Sequence, residues 1–413
     1  MTRPNLDASA TDIGADIDAL ARITDPDRPW TRRAFSPRFD EGRDYLQRRF
    51  LDEGLQVSTD AGGNLIGRRE GSDPQAGTIM LGSHSDTVPD GGRFDGVAGV
   101  VVALEVARIL SRRGVALRHN LAVVDFLAEE VSIFGVSCIG SRAMAGVLPQ
   151  DWLGRTSEGR DLATAIRDVG GAPQDLEGPL CDDLRAFLEL HIEQGPVLER
   201  EKTALGVVTA IVGISRVEIE ISGRPDHAGT TPMGLRADAL AAAARLVSEI
   251  ERRATALSSG PGHFTATVGE FAISPNAANV VPARVRMLVD IRAERVEDKE
   301  AFLSWLTGLK ADTGNTIDAR LISDNPGVRM DEGLQDMVAE AASRLDTPYR
   351  KMVSGAGHDA AFLTRLCPSV MVFVPCRGGR SHCPEEWAET VDLALAAEVL
   401  ANTVMELDKK KEG

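Results

Sequence analysis

The sequence predicts an α/β protein with a mixed sheet flanked by helices and an inserted α+β domain of the ferredoxin-like type. Short apolar runs alternate with helical patterns over most of the chain, which is typical of α/β sheets. From about residue 214 to 327 the pattern changes to alternating strands around two helices. Because 413 residues exceed one typical core, we expect a main domain of residues 1–213 and 328–413, with residues 214–327 inserted.

Helices and strands of the main domain follow from hydrophobic spacing. Apolar positions three and four apart predict amphipathic helices at residues 12–22 and 41–53. A further helix is predicted at Gly96–Arg112. Short apolar runs predict buried strands at Gly77–Leu81, Asn120–Leu127, Ala186–Leu190 and Pro368–Val374.

The inserted segment has its own order of elements. Ser215–Ser222 (SRVEIEIS) alternates strictly, which indicates a strand with one face in water. A long Ala-rich helix is predicted at Arg236–Thr255. Two strands, a helix and a last strand follow at Phe264–Ile273, Arg284–Arg292, Val296–Thr313 and Thr316–Ser323. The resulting β-α-β-β-α-β order is the ferredoxin-like motif.

Composition excludes several classes of partner. The formal net charge is -16 with acidic residues scattered along the chain, which argues against nucleic acid as a partner. The basic cluster Lys409-Lys410-Lys411 is interpreted as a solvated tail. The 5 cysteines form no C-x-x-C motif, which favours a reducing compartment. Without a signal-peptide pattern or a long apolar stretch, we expect a cytoplasmic protein with no membrane partner.

Side chains of the types that bind metal ions follow each predicted strand of the main domain. In chain order they are His84 and Asp86, Glu129 and Glu130, His191, and His382. In open α/β sheets, ligands bind at the carboxyl ends of strands. We therefore expect these imidazoles and carboxylates to line one pocket.

Two acidic residues near His84 have predicted roles of their own. Asp86 lies two residues beyond His84, so both side chains point the same way on an extended chain. Asp86 can then orient His84 as carboxylates orient metal-bound imidazoles. Asp95 lies in a Gly-rich turn (GGRFDG) that opens a helix, where its carboxylate can bridge two metals. The alternative for Asp95 is a helix N-cap.

The adjacent pair Glu129 and Glu130 indicates a functional site more specifically than Asp95 does. Adjacent carboxylates at a strand end repel each other unless cations or a shared proton offset the repulsion. One residue acting as a ligand and the other as a general base explains the pair. The alternative is two solvated acids at the start of a loop.

The order of motifs resembles the aminoacylase/carboxypeptidase-like dinuclear metallohydrolases, and specifically their hydantoinase/carbamoylase amidase branch. The motifs are GSHSDT, GGRFDG, LAEE, HIEQG, GRPDHAGTTPM, PNAANVVPARV, SGAGHDA and SHCPEE. The resemblance extends from about Thr31 to Glu386. It implies a metallopeptidase-like catalytic domain and an inserted lid and dimerisation domain.

This resemblance also implies a ligand set for two divalent metal ions. One ion would be held by His84, Asp95 and His191, and the other by Asp95, Glu130 and His382. Glu129 would deprotonate the bridging water and later protonate the leaving nitrogen. Nitrogen and oxygen donors permit Mn²⁺ or Zn²⁺, with Co²⁺ or Ni²⁺ as further candidates.

Substrate-binding residues are likewise implied by the resemblance. His227 would donate to the oxyanion, either in its own chain or from a partner subunit. Asn279 and Arg292 would bind the substrate carboxylate, although Arg292 could be a plain surface residue. The same pocket would be lined by Gln194, Gly357 and His358, and His358 has the alternative of bracing its turn.

The implied activity is hydrolysis of the ureido C–N bond of an N-carbamoyl-L-amino acid to amino acid, ammonia and carbon dioxide. The nearest alternative is allantoate as substrate, because both molecules present a ureido group and a carboxylate. A dipeptidase or deacylase and a non-catalytic binding protein are the remaining alternatives. A small anionic ureido substrate and a homodimer formed through the inserted domain are the expected partners.

Overall fold

The computed structural model describes residues 7–310 and 314–409, which divide into two compact units. Unit 1 runs up to Thr209, continues over Met330–Met352 and resumes at His358. Unit 2 consists of Ala210–Arg329 and Val353–Gly357. The predicted basic tail at 410–411 lies outside the described residues.

Helices and strands alternate along the described chain. The α-helices are α1 (Ala10–Arg22), α2 (Pro37–Asp52), α3 (Val97–Arg112), α4 (Ile139–Met144), α5 (Leu162–Asp168), α6 (Val197–Glu201), α7 (Ala239–Ser258), α8 (Val296–Thr307), α9 (Glu332–Arg344), α10 (Ala360–Leu363) and α11 (Thr390–Lys409). The strands are β1 (Gln56–Thr59), β2 (Leu65–Arg69), β3 (Thr78–His84), β4 (Asn120–Phe126), β5 (Thr156–Ser157), β6 (Arg160–Asp161), β7 (Leu184–Ile192), β8 (Leu205–Ile211), β9 (Gly213–Ser222), β10 (Phe264–Ser274), β11 (Arg284–Ala293), β12 (Thr316–Asn325), β13 (Val328–Arg329), β14 (Tyr349–Ser354) and β15 (Ser369–Val374). Within 7–310 and 314–409, no helix combines the length and apolar character needed to cross a membrane.

The sheet of unit 1 is mixed, which confirms the predicted α/β class. Its strands run in the order β1-β2-β4-β3-β7-β15-β8, and β14 also pairs with β8. The central strands β4, β3, β7 and β15 are mutually parallel. β2 and β8 join them in antiparallel orientation.

Burial explains why these segments form strands and helices. Every residue of β3, β4 and β15 is buried, as expected of parallel strands covered on both faces. Helix α3 is buried along nearly its whole length and packs against α11 and the sheet. A helix that is apolar on nearly all sides belongs in the core of a domain, and the buried Glu105 and Arg108 of α3 pair with each other.

Strand register brings the predicted site residues to one edge of the sheet. His84 at the end of β3 lies opposite Phe126 at the end of β4. His191 near the end of β7 lies opposite Phe373 near the end of β15. Because these strands are parallel, the segments that follow them start at the same edge.

Unit 2 contains the predicted ferredoxin-like motif. Its antiparallel sheet has the order β10-β11-β9-β12, and α7 and α8 cover one face. The covered face is apolar, with residues such as Val217, Ile219 and Met287 fully buried. Helix α8 ends at Thr307, where Gly308 is the C-cap residue. The prediction that it continues through Lys310 was wrong, and its last part, 311–313, lies outside the described residues.

Candidate metal centre

Asp86 holds three of the predicted site residues in place. The His84 Nδ1 atom lies 3.1 Å from the Asp86 carbonyl oxygen and 3.4 Å from the Asp86 Oδ1 atom. The Asp86 carboxylate also accepts the backbone N–H groups of Glu129 and Glu130, each at 3.2 Å. One buried carboxylate therefore links the end of β3 to the loop after β4.

Asp95 lies just before α3 and does not cap it. The N-cap residue is Gly96, with φ +63° and no side-chain capping bond. A Cβ atom at Gly96 would lie 2.4 Å from the His84 ring, so only glycine fits between this turn and the imidazole. The Asp95 side chain is therefore free of the helix and turns into the site, where it is 6% exposed.

The two carboxylate oxygens of Asp95 face two different groups of side chains. Asp95 Oδ1 lies 3.0 Å from His191 Nε2 and 3.8 Å from His84 Nε2. Asp95 Oδ2 lies 3.0 Å from His382 Nε2, which is 3.2 Å from Glu130 Oε1. A carboxylate placed in this way can bridge two cations.

Both groups have the donor chemistry and spacing of a metal site. Each offers three nitrogen or oxygen atoms within 4.8 Å of one another, in His84–Asp95–His191 and in Asp95–Glu130–His382. Donors about 2.0–2.2 Å from one ion lie up to about 4 Å apart. Asp95 lies within that distance of His191, His84 and His382, at 3.0, 3.8 and 3.0 Å, so each group has the spacing to hold one divalent cation. The donor set contains no thiolate, which suits Zn²⁺ or Mn²⁺.

Glu129 is a largely buried carboxylate beside these groups, with 12% of its side chain exposed, and it belongs to neither group. Its Oε2 atom lies 3.6 Å from His84 Nε2, and the Cys138 thiol lies 3.5 Å from its Oε1 atom. Burial raises the pKa of Glu129 well above its usual value; the charges of Glu130 and Asp359 add to this, and His84 opposes it. A carboxylate with a raised pKa can both accept and return a proton near neutral pH.

Neighbouring carboxylates raise the pKa values of the three imidazoles in the site. Burial lowers the pKa of His84 and of His191, but carboxylates including Glu129 and Asp95 outweigh burial, so both pKa values are raised. The hydrogen bond to Asp95, with a second to Glu130, raises the pKa of His382 to about 11. The site thus concentrates negative charge that protons or bound cations can offset.

Gln194 and His358 contact the candidate ligands. The Gln194 amide donates to Asp95 Oδ2 at 2.9 Å and lies 3.3 Å from His382 Nε2. The His358 ring is buried, with its centroid 4.5 Å from that of His191. Both residues therefore lie at the candidate metal centre of unit 1.

The other predicted substrate residues belong to unit 2. The His227 segment pairs with Val280, and the N–H of the residue after His227 donates to the Asn279 carbonyl oxygen at 3.0 Å. Arg292 donates from Nη1 to the Gly355 carbonyl oxygen at 2.8 Å, in the loop that contains Gly357. Unit 2 thus brings His227 close to Asn279 and Arg292 close to that loop.

Three residues near the centre were missed at the sequence level, namely Cys138, Ser381 and Glu386. Glu386 is buried and accepts backbone N–H groups from the Asp95 loop, whereas its neighbour Glu385 is exposed. In the segment SHCPEE the two glutamates look alike, and only tertiary packing separates them.

Comparisons with known proteins confirm the metallopeptidase-like fold. The model of peptidase family M20/M25/M40 matches residues 80–406. An N-carbamoyl-L-amino-acid amidohydrolase from Paenarthrobacter aurescens is 38% identical over 410 residues, which are 97% of this chain and 99% of that protein. An allantoate amidohydrolase from Bacillus subtilis (strain 168) is 35% identical over 361 residues, 86% of this chain and 87% of that protein.

A solved structure extends the similarity to the whole fold. The crystal structure of an amidase of the hydantoinase/carbamoylase family from Burkholderia multivorans matches with a TM-score of 0.90 and 35% identity. The match covers 98% of this chain and 100% of that one. The chain therefore belongs to peptidase family M20/M25/M40, a family of metal-dependent hydrolases, and to its hydantoinase/carbamoylase branch of amidases.

Proposed function

We propose that this chain hydrolyses the ureido C–N bond of an N-carbamoyl-L-amino acid, releasing the amino acid, ammonia and carbon dioxide. The observation that carries this proposal is the position of Asp95, whose two oxygens face two metal-ligand groups beside the largely buried Glu129. The relative named N-carbamoyl-L-amino-acid amidohydrolase supports the substrate class.

Two divalent cations, Mn²⁺ or Zn²⁺, would be held by the two groups that share Asp95. When bound, they would polarise the scissile carbonyl and lower the pKa of the attacking water. The protein keeps their ligands in position, since Asp86 contacts His84 and anchors the backbone of Glu130. Asp86 therefore acts on the ligands rather than on the substrate.

Glu129 would transfer a proton from the attacking water to the leaving nitrogen. As general base it would take a proton from the attacking water, and as general acid it would return that proton to the leaving nitrogen. The neighbouring carboxylates are engaged, because Glu130 faces His382 and Asp86 accepts backbone N–H groups. Glu129 is thus the carboxylate best placed for both transfers.

Unit 2 would supply the contacts to the substrate carboxylate and the oxyanion. Arg292 has a guanidinium group that suits a carboxylate, and its contacts with Asp290 and Gly355 hold that group in place. Asn279 would bind the same carboxylate, and His227 would donate to the oxyanion. We expect a homodimer through this unit, with His227 acting in its own chain or from the partner.

The cysteines support the expected cytoplasmic location. All of Cys138, Cys181, Cys367, Cys376 and Cys383 are free thiols. Free thiols are typical of proteins from reducing compartments.

Allantoate is the second candidate substrate, favoured by the relative named allantoate amidohydrolase. The deciding experiment measures ammonia release by the Mn²⁺-loaded enzyme from a panel of N-carbamoyl-L-amino acids, N-carbamoyl-β-alanine and allantoate. Preference for a carbamoyl amino acid supports the proposal, whereas preference for allantoate replaces the substrate and keeps the residue roles. Inactivity on all of them, with two metals bound, contradicts ureide hydrolysis and points to amide or peptide substrates.

A further inference from the structure

Glu386 joins the two loops that carry Asp95 and His382. Its carboxylate Oε1 atom accepts the backbone N–H groups of Phe94 at 2.8 Å and of Asp95 at 3.0 Å. Glu386 is 1% exposed and lies four residues beyond His382 in the chain. A buried carboxylate that accepts two adjacent N–H groups restricts both the position and the tilt of the peptide it holds.

A second path runs from Glu386 to the Asp95 side chain through Ser381. The Ser381 hydroxyl lies 2.8 Å from Glu386 Oε2 and 2.9 Å from Asp95 Oδ2. Glu386 therefore restrains the backbone of Asp95 directly, and the Ser381 hydroxyl, which has one proton to donate, lies between the two carboxylates.

The loop around Asp95 is shaped to receive this carboxylate. A Cβ atom at Gly92 would lie 1.9 Å from the Glu386 carboxyl carbon, so the space that a side chain would need is filled by Glu386. Next to these residues, the rings of Phe94 and Trp387 pack edge to face with centroids 5.4 Å apart. Polar and apolar contacts thus hold the same two loops together.

We propose that Glu386 is a positioning residue that holds Asp95 where its two oxygens serve both metal groups at once. The inference rests on the proposed metal-binding role of Asp95. Because Asp95 is common to both groups, a displacement of Asp95 changes the geometry of both. Loss of Glu386 should therefore weaken the binding of both cations together, unlike loss of a ligand such as Glu130 that belongs to one group.

The test is a titration of metal-free enzyme with Co²⁺, followed by visible absorption and calorimetry. Glu386→Ala is expected to raise both dissociation constants by about 10- to 100-fold, the usual effect of removing a residue that orients metal ligands. Glu386→Gln retains an oxygen that can accept both N–H groups, so its constants should fall between those of the wild type and of Glu386→Ala. Glu130→Ala should weaken one cation selectively.

Asp408 provides a matched control. Its carboxylate also accepts two adjacent backbone N–H groups, those of Arg118 and His119, but at the end of α11. Asp408→Ala should bind Co²⁺ as the wild type does. Circular dichroism checks that each variant folds, and if Glu386→Ala does not fold, Glu386→Gln and Gly92→Ala carry the test.

Three outcomes would overturn the inference. The first is wild-type constants in the folded Glu386 variants, and the second is an equal loss in Asp408→Ala, which would indicate a general stability effect. The third is selective loss of one cation in Glu386→Ala, because positioning of Asp95 requires loss of both. If the wild-type protein itself binds no Co²⁺, the proposed function is contradicted together with this inference. The first three outcomes contradict the inference alone, so the two failures can be distinguished.

Discussion

Glu129→Gln is the perturbation that tests the proposed chemistry most directly. The replacement has nearly the same shape, and Glu129 is in neither metal group, so metal content should stay at the wild-type level. General acid–base catalysis contributes about 10²- to 10⁴-fold, or about 3 to 5 kcal/mol of activation free energy. Glu129 would act in two proton transfers, and Glu130 faces His382. We therefore expect kcat to fall by close to 10⁴-fold.

The assay measures ammonia release at saturating substrate together with metal content by elemental analysis. Glu340→Gln, at a glutamate that is 70% exposed on α9, is the matched control and should keep wild-type kcat. KM in Glu129→Gln should change little, because the missing carboxylate moves protons rather than holding the substrate. A Glu129→Gln enzyme that retains about a tenth of wild-type kcat would lose far less than general acid–base catalysis predicts, and would refute the base assignment.

The remaining predictions address the metal ligands, the substrate carboxylate, the folded core and the thiols. Asp86→Ala should weaken cation binding by about 10- to 100-fold, because Asp86 orients a ligand; competition with a chelator measures it, and unchanged affinity would contradict the role. Arg292→Lys should raise KM while leaving kcat nearly constant, since a lysine cannot form the two parallel hydrogen bonds of a guanidinium. Asp16→Ala removes a buried partner 2.9 Å from Arg108, but Arg108 keeps Glu53 and Glu105 as partners, so the free energy of unfolding in urea denaturation should fall by about 1–3 kcal/mol. Burial raises the pKa of the Cys376 thiol to about 12, so about one molecule in 10⁴ is a thiolate at pH 8, and iodoacetamide should label Cys376 only after denaturation, as read by mass spectrometry.

The fold could be predicted from local patterns because its strands are short, apolar and separated by helical periodicity. Parallel order in the middle of the sheet then follows from the β-helix-β alternation. Strands β1 and β2 were not predicted, since Gln56–Thr59 is mostly exposed and lacks an apolar run. Helix α8 was extended too far because Leu309 continues its apolar spacing, whereas Gly308 ends the helix.

Residues at the ends of strands could be expected at one edge because chain direction alone brings them there. His84 and His191 belong to β3 and β7 themselves, so their positions follow from strand register. Glu386 differs, since its partners Phe94 and Asp95 are distant in sequence and meet it through backbone N–H groups that every residue has. No residue type identifies such a contact in advance.

The local sequence pattern does not determine whether Asp95 caps α3 or points into the site; a tertiary contact does. In GGRFDG, an aspartate before a helix is a reasonable N-cap, and the turn offers glycines on both sides of it. The outcome depends on the His84 ring, which lies so close to the turn that only Gly96 fits beside it. Because Gly96 is the N-cap residue, Asp95 lies outside the helix. Its carboxylate points to the imidazoles of both candidate metal-ligand groups. The Cβ atom of a Gly96→Ala variant would clash with the His84 ring and would therefore disturb the candidate metal centre as well as the helix.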